Sequence, residues 1–568
     1  SMLYLYTLQL EKLEKKGYKL YMNQIKPMLL TTLKSYDRSQ FVKDVTAGII
    51  VAIIALPLSI ALALASGVGP QAGIFTAIVA GFVISAFGGS NVQIAGPTAA
   101  FATIVAGIVA KDGLDGLVIS TILVGIFLIL MGLCHFGSLI KFIPYTITTG
   151  FTSGIAVTIV IGQLKDFFGV TYPNGLKPIE TMEKLNAFAL GFSSFHVDAL
   201  IVGGVSLAIL IISPYIFKRI PGSLIAVVIG ILMVKFLPLH VSTIGNLYTI
   251  TNDLPSFHIP AAKFSMVKSA IPNAFTIAVL AAIESLLSCV VADGMINGKH
   301  RSDMELVAQG AGNIASALFG GIPATGAIAR TAANIKNGGR TPVAGMVHSI
   351  TLVIVLVVLM PFAGMIPMPT IAAILFIVAY NMCQWRTFVH LIRTAPKSDI
   401  IVLFATFILT ILFDLVVAIE IGMVLACLLF IKRMSEETNI DGWTYVDDDT
   451  PDVDAHLKKL PLQIRVYEIT GPLFFGAADA IEHIVVKDFT TCLVLRMRSV
   501  PAIDSTAMNA LFNLTKVCEN KGITLVFSHV NEQPMKVMEK AGFVELVGRE
   551  NFCPNISAAL AHAEEISI

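Results

Sequence analysis

Between residues 44 and 431 the chain is a series of apolar runs, and this feature limits the fold more than any other. A straight helix needs about 20 apolar residues to cross a bilayer, and about fourteen runs approach this length. The runs cover 44–66, 71–88, 97–111, 115–134, 142–163, 197–213, 221–238, 270–293, 304–320, 323–334, 341–361, 366–381, 398–415 and 417–431. The sequence therefore predicts an all-α polytopic membrane domain over 44–433, after an N-terminal segment over 1–43.

Composition excludes several classes of protein. Charged residues make up only 14% of the chain, whereas soluble domains carry roughly 25%. A net charge of +1 argues against nucleic acid as a partner. The seven cysteines show no paired spacing, so we expect neither disulfides nor a metal site. No group of side chains resembles a nucleophile with its base, so we expect neither an enzyme nor a cofactor. The first long run begins near Val45, too late for a cleavable signal peptide.

Basic residues indicate how the chain crosses the membrane. They precede the first run and recur in alternate loops, a bias that is typical of the cytoplasmic side. These residues are Lys34, Arg38, Lys43, Lys141, Lys218, Arg219, Lys299, Arg301, Lys336, Arg340, Arg386, Arg393, Lys397, Lys432 and Arg433. An even number of spans then leaves both termini in the cytoplasm.

Two runs, 97–111 and 323–334, are too short to cross as straight helices. Each begins with an extended stretch, then Pro97 or Pro323, then small residues. They are third and tenth in order, so they occupy equivalent places in two sets of seven and enter from opposite sides. Their N-termini can then meet, and converging amide dipoles favour an anion. The alternative is that proline and glycine only kink packed helices.

Around these two starts we expect the substrate-binding residues, which are Pro97, Thr98, Ala99, Ala324, Thr325, Gly326, Ala327 and Arg330. The Arg330 guanidinium can bind a carboxylate or sulfate in bidentate fashion, or it can pair with a fixed acid or anchor the helix. The hydroxyls of Thr98 and Thr325 can bind substrate or cap a helix. His348 is more typical of a packed histidine than of a proton relay.

Glu284 lies in the middle of the eighth run, where a charged side chain is costly and needs a reason. Ser288 follows one helical turn later on the same face. A carboxyl group there can take and release a proton, so Glu284 and Ser288 are the candidate residues for a coupling proton or ion. The alternative is a structural carboxylate that hydrogen-bonds between helices.

Several motifs resemble the SulP family, also called solute-carrier family 26. They are the segments 48–75, 88–99, 282–288, 292–295 and 309–313. The resemblance implies seven plus seven inverted repeats with core and gate subdomains, an elevator-like movement, and a homodimer. It also implies that substrate lies between the third and tenth helices and that the eighth handles the coupling ion. Residues 324–334 and 471–475 look closest to bacterial C4-dicarboxylate members. A Glu at 284 resembles proton-coupled rather than sodium-coupled members.

Residues 434–460 are polar and acidic and are predicted to form a linker. Residues 461–568 are predicted to form a small cytoplasmic α/β domain, with strands over 462–469, 492–497 and 523–528 and helices over 477–486, 505–519 and 532–541. This tail resembles a STAS domain, which implies a possible cytoplasmic protein partner. Ser505 matches the position that is phosphorylated in related antagonists, although it can equally belong to a helix cap after Asp504.

The sequence thus predicts a secondary active transporter of a small anion in the bacterial cytoplasmic (inner) membrane. Proton-coupled uptake of a C4-dicarboxylate such as succinate or fumarate is the first hypothesis. Symport or exchange of sulfate or bicarbonate is the second, and an anion channel or a membrane sensor is a different class.

Overall fold

The structure is a computed structural model that describes residues 25–138, 144–173, 178–216, 221–251, 253–260, 264–413, 415–442, 461, 463–478, 481, 484 and 489–567. The predicted N-terminal segment up to residue 24, Lys141, Lys218 and Arg219 lie outside the described residues. The chain divides into two compact units, residues 1–423 and 424–568.

The first unit is built from helices. In chain order α1 to α17 are Met28–Thr32, Arg38–Ala65, Pro70–Phe87, Ala102–Leu133, Tyr145–Phe168, Thr181–Gly191, Val197–Ile216, Gly222–Phe236, Ile244–Leu247, Phe264–Ile296, Ser302–Leu318, Ile328–Lys336, Pro342–Ala363, Met368–Cys383, Trp385–Thr394, Lys397–Leu412 and Leu415–Glu436. Two short strands, β1 (Ala95–Pro97) and β2 (Ala324–Gly326), precede α4 and α12.

Each predicted apolar run corresponds to a helix of the structure. The runs 97–111 and 115–134 both fall in α4, whose two helical stretches are separated by a kink at Gly113, where φ is 71°. In the described part of the chain, 8 helices are long and apolar enough to cross a membrane. Others are shorter, such as α8 with 15 residues and α11 with 17. A count of helices by length therefore gives fewer membrane segments than the apolar runs of the sequence predict.

Two groups of helices can be distinguished by their packing. In the first, called the core group, α2, α3, α4, α10, α11, α12 and α13 pack mainly on one another, and in the second, called the gate group, α5, α7, α8, α14 and α16 do so. Small residues allow the close approach: a Cβ added to Gly125 of α4 would lie 2.5 Å from the carbonyl oxygen of Gly310 in α11. Close backbone approach of this kind stabilises helix pairs in membranes.

Asp44 joins two helices of the core group. Its carboxylate accepts hydrogen bonds from the Thr341 hydroxyl at 2.6 Å, the Arg340 amide at 2.9 Å and the Tyr36 hydroxyl at 3.0 Å. Burial and the bond to the Asp44 carboxylate raise the pKa of Tyr36 to about 12. The second turn of α2 is thereby fixed to the start of α13.

The second unit contains a five-stranded sheet in the order β3 (Asn439–Gly442), β4 (Ile464–Thr470), β5 (Cys492–Ser499), β6 (Thr524–Ser528) and β7 (Phe552–Cys553). β3 is antiparallel to β4, and the other pairs are parallel. The helices α18 to α21 are Ser505–Asn520, Glu532–Lys540, Phe543–Val547 and Ile556–Ser567. This is a small α/β domain, as the alternating pattern predicts.

The secondary structure of this domain differs from the sequence prediction in four elements, one of which is the short α20 that follows the predicted helix over 532–541. β3 lies inside the predicted linker, because its polar residues are held by backbone pairing and give no apolar signal. β7 and α21 were not predicted, and β7 has only two residues. Most of the predicted linker, and most of the predicted helix over 477–486, lie outside the described residues.

Candidate functional site

The structure brings the starts of the two short segments together. β1 and β2 pair antiparallel, with Gly96 opposite Thr325 and Pro97 opposite Ala324. After β1 the chain enters a 3-10 turn, Ala99–Phe101, which leads into α4, and after β2 it enters α12 through Ala327. Two helix N-termini thus leave one small sheet, and each carries amides without an acceptor inside its own helix.

Several amides near the crossing are already used by the protein. The Ala324 amide donates to the Asn313 side-chain oxygen at 2.8 Å, and the Ala327 amide donates to the Ile94 carbonyl at 2.9 Å. The backbone N–H groups of these two predicted substrate residues therefore already donate to acceptors within the protein. The first turn of α12, beginning at Ile328, supplies the amides that an anion can use.

Thr98 and Glu284 lie side by side and are both half-buried, while most of the residues around them are buried. The Thr98 hydroxyl is within hydrogen-bonding reach of the Glu284 carboxyl group. Its oxygen also accepts from the Ala100 amide at 3.4 Å, which is the cap-like role that the sequence left open. The predicted coupling residue therefore borders the predicted start of the third segment.

Thr325 and Ser288 contact different partners from those the sequence suggested. The Thr325 hydroxyl lies 2.7 Å from the Ser285 hydroxyl and donates to the Ala281 carbonyl at 3.1 Å. Ser288 donates to the Thr331 hydroxyl at 3.4 Å. Both side chains are buried and fasten α10 to β2 and α12.

Arg330 is a buried cation with few partners. Its side chain is only 1% exposed. One terminal nitrogen lies 3.4 Å from the Ser59 hydroxyl and 3.4 Å from the Pro97 carbonyl, so the guanidinium lies against β1. The other two guanidinium nitrogens have no hydrogen-bond partner among the described residues, and no acid there forms an ion pair with it. Pairing with Glu284, one alternative from the sequence, is thus not what the structure shows.

His348 of α13 lies near Arg330 and is fully buried. Neither of its ring nitrogens has a hydrogen-bond partner within the described part of the chain. The sequence favours a packing role for this histidine, and no motif in it links His348 to Arg330. In the structure the His348 imidazole lies near the buried Arg330 guanidinium.

Glu305 of α11 is a central residue that the sequence analysis missed. Its buried carboxylate accepts four hydrogen bonds: from the Gly89 and Ser90 amides at 2.9 and 3.1 Å, and from the Gln93 and Gln309 side chains at 2.8 and 2.9 Å. The loop before β1 is thereby fixed to α11. The Gln93 side chain also packs directly on the end of β2. A Cβ added to Gly326, the last residue of that strand, would clash with the Gln93 amide group.

A cavity of about 350 Å³ is lined by residues of both the core and the gate group. Its polar lining includes Thr103 of α4, Thr158 of α5, Asn273 of α10 and Thr410 of α16. Thr103 follows Thr98 by little more than one helical turn. Thr103 lies in the first turn of α4, so the cavity reaches the start of that helix.

In the second unit the helix cap is Asp504. Its carboxylate accepts from the Thr506 and Ala507 amides at 3.0 and 2.9 Å and from the Phe475 amide at 2.8 Å. Ser505 is the first residue of α18 and is exposed. The capping role that the sequence left open for Ser505 thus belongs to its neighbour.

A profile described as the sulfate permease family matches residues 41–406, which include both strands, Glu284 and Arg330. The chain belongs to this family, the SulP anion transporters. A second profile, the STAS domain, matches residues 458–559. The protein is therefore a multi-pass SulP anion transporter with a C-terminal STAS domain, and it is not an enzyme.

Relatives of this SulP protein align over nearly its whole length. YvdB of Bacillus subtilis, provisionally named a sulfate transporter, is 39% identical over 91% of this chain and 97% of its own. The bicarbonate transporter BicA of Picosynechococcus is 31% identical over 92% of this chain and 94% of its own.

Solved structures show the same fold. The murine anion transporter Slc26a9 in its inward-facing state superposes with a TM-score of 0.86 over 96% of this chain and 95% of its own, at 18% identity. The transmembrane domain of a cyanobacterial BicA gives a TM-score of 0.60 at 29% identity, over 69% of this chain and 98% of its own.

Proposed function

We propose that this SulP protein is a secondary active transporter that takes up a small dianion together with a proton. A C4-dicarboxylate such as succinate or fumarate is the first candidate. The observation that carries the proposal is the antiparallel pairing of β1 with β2 beside an arginine without an acidic partner among the described residues. Two helix N-termini and a guanidinium there make a site for negative charge.

A rough charge count supports a dianion. Each helix N-terminus contributes about half a positive charge, and Arg330 contributes a full one. The total of about two positive charges balances succinate or sulfate better than it balances bicarbonate. In this proposal the substrate accepts hydrogen bonds from the first amides of α4 and α12, near Thr98 and Ala99 on one side and Gly326 and Ala327 on the other.

Glu284 is the proposed proton carrier. Its carboxyl group is half-buried beside Thr98, where the ionised form lacks full hydration and repels an incoming anion. Protonation removes that repulsion, so a proton and a dianion bind more favourably together than either does alone. Sodium is the alternative coupling ion, but a Glu beside a single hydroxyl offers it few oxygen ligands.

Sulfate and bicarbonate remain the alternative substrates, and the names of the relatives favour them: YvdB is named for sulfate and BicA for bicarbonate. An anion channel is a second alternative, because converging helix dipoles attract an anion whether or not a proton moves with it. The cavity lined by both the core and the gate group supports an elevator-like movement of one group past the other.

We further propose that the protein is a homodimer in a bacterial inner membrane, with both termini and the STAS domain in the cytoplasm. The basic loops support this orientation. A cytoplasmic protein partner can bind the STAS domain. Phosphorylation of the exposed Ser505 would place a phosphate at the N-terminus of α18, where it competes with the Asp504 carboxylate for the helix amides.

Competition uptake into proteoliposomes tests the function. Radiolabelled succinate uptake is measured with an inward proton gradient, in competition with fumarate, sulfate and bicarbonate. We expect accumulation above the electrochemical equilibrium of succinate and competition by fumarate. Accumulation of sulfate without accumulation of succinate would make sulfate the substrate. Succinate flux that never exceeds electrochemical equilibrium would identify a channel.

A further inference from the structure

The helix α15, Trp385–Thr394, does not belong to the substrate site and has a distinctive distribution of side chains. Its sequence, WRTFVHLIRT, contains two arginines and one histidine and no acidic residue. Arg386, His390 and Arg393 are spaced four and three residues apart, so they lie on one face of the helix. All three are exposed, and Lys397, just beyond the helix, is exposed as well.

The opposite face holds α15 against the membrane unit. Phe388 packs on Phe404 and Phe407 of α16, with ring centroids 5.8 and 5.2 Å apart. Leu391 and Ile392 on the same face are half-buried. The basic face is therefore fixed in one orientation.

Aromatic residues complete the arrangement. The Trp385 indole is 46% exposed and donates to the Tyr380 hydroxyl at 3.1 Å. The Arg386 guanidinium lies 5.5 Å from the Trp385 ring centroid. Exposed tryptophan and tyrosine are enriched where a membrane protein meets the lipid headgroups, and a helix with a basic and an apolar face lies along that interface.

We propose that α15 binds the headgroups of anionic phospholipids, with Arg386 and Arg393 on their phosphates and Trp385 at the level of the glycerol backbone. The charge of the face selects this ligand, since no carboxylate of α15 competes for the arginines. That the lipids belong to the inner leaflet rests on the proposed orientation of the transporter. The bound lipids would hold the gate group at a fixed depth.

Trp385 allows a direct test. The chain has only two tryptophans, so the variant W443F leaves Trp385 as the single reporter in the full-length protein. The protein is reconstituted in phosphatidylcholine that contains brominated phosphatidylglycerol or, in a parallel series, brominated phosphatidylcholine. Because each basic residue at an anionic surface strengthens association about fivefold, we expect phosphatidylglycerol to quench Trp385 with at least fivefold higher apparent affinity.

Variants assign the effect to the basic face. In the W443F background, R393Q should reduce the preference, and R386Q with R393Q should bring it within twofold of phosphatidylcholine. The matched control is K299Q, which removes an exposed basic residue after α10 and should leave the preference unchanged. Arg393 lies about two helical turns from Trp385 along α15, so R393Q separates lipid binding from a change in the indole environment.

Equal quenching by the two lipids in the W443F protein would overturn the proposal, and so would a full preference in the double variant. Anion uptake is measured on the same vesicles. Normal anion uptake without a lipid preference rejects lipid binding by α15 but leaves the proposed transport function intact. A lipid preference without uptake of any tested anion rejects the proposed transport function but leaves lipid binding by α15 intact.

Discussion

Among single residues, Arg330 carries the strongest argument for an anion. A buried charge is costly unless it is paired, and this guanidinium has two nitrogens without partners among the described residues. Its one bonded nitrogen holds it against the Pro97 carbonyl of β1. A substrate anion beside β1 would supply the compensating negative charge, so the guanidinium is placed to bind one.

Replacement of Arg330 by alanine should therefore weaken anion binding at least tenfold, which corresponds to about 1.4 kcal/mol. Isothermal titration with succinate and with sulfate, in detergent, measures this loss. Lys299→Ala, which removes an exposed basic residue, is the control and should bind normally. Retained affinity in the Arg330 variant would make the arginine purely structural.

Glu284→Gln tests the coupling role. The amide is neutral at every pH, so the variant should bind substrate measurably and yet lose the stimulation of uptake by an inward proton gradient. Uptake at acidic and neutral external pH gives the result. Glu420→Gln serves as the control, because Glu420 is an exposed acid on another membrane helix. Unchanged stimulation in the Glu284 variant would reject this assignment.

At the scale of elements, the β1–β2 crossing depends on glycine. A Cβ added to Gly96 would clash with a terminal nitrogen of Arg330. Gly96→Ala should displace the guanidinium and weaken anion binding at least tenfold, by the same titration. Gly107→Ala in α4 is the control, since an added Cβ there meets nothing within 4 Å. Equal affinity in both variants would show that the close approach at Gly96 is irrelevant.

The broken helices could be predicted from the sequence, but the contacts that hold them could not. Pro97 and Pro323, each followed by small residues, occupy equivalent places in two halves, and this repeat predicts that the two segment starts meet. In the structure Pro97 ends β1 and Pro323 precedes β2, so both helices begin a few residues after the prolines. Glu305 carries no such signal, because its donors Gly89 and Ser90 are 216 and 215 residues away in the chain. The sequence leaves open whether the Thr325 hydroxyl binds substrate or caps a helix, and it gives no sign of the contact with the Ser285 hydroxyl of α10.

At the scale of the molecule, the second unit has its own sheet and its own apolar core, built around Leu493, Leu495 and Phe527. β3 pairs with β4 and covers its outer edge. A soluble fragment that begins at residue 437 should therefore unfold cooperatively as a monomer. A fragment that begins at residue 460 lacks β3 and exposes an unpaired edge, which favours association.

Thermal circular dichroism and sedimentation of the two fragments measure this difference. We expect the shorter fragment to melt at lower temperature and to self-associate. If both fragments are monomeric and melt at the same temperature, β3 does not stabilise the domain or protect its edge.

The most direct test of the account is to locate a bound anion. Crystals of the transporter grown with selenate, and in parallel with bromosuccinate, allow the anion to be found by anomalous scattering. We expect one peak within hydrogen-bonding distance of the first amides of α4 and α12, close to Thr98. An anion found elsewhere in the membrane unit, with the β1–β2 crossing empty at saturating concentration, would contradict the proposed site.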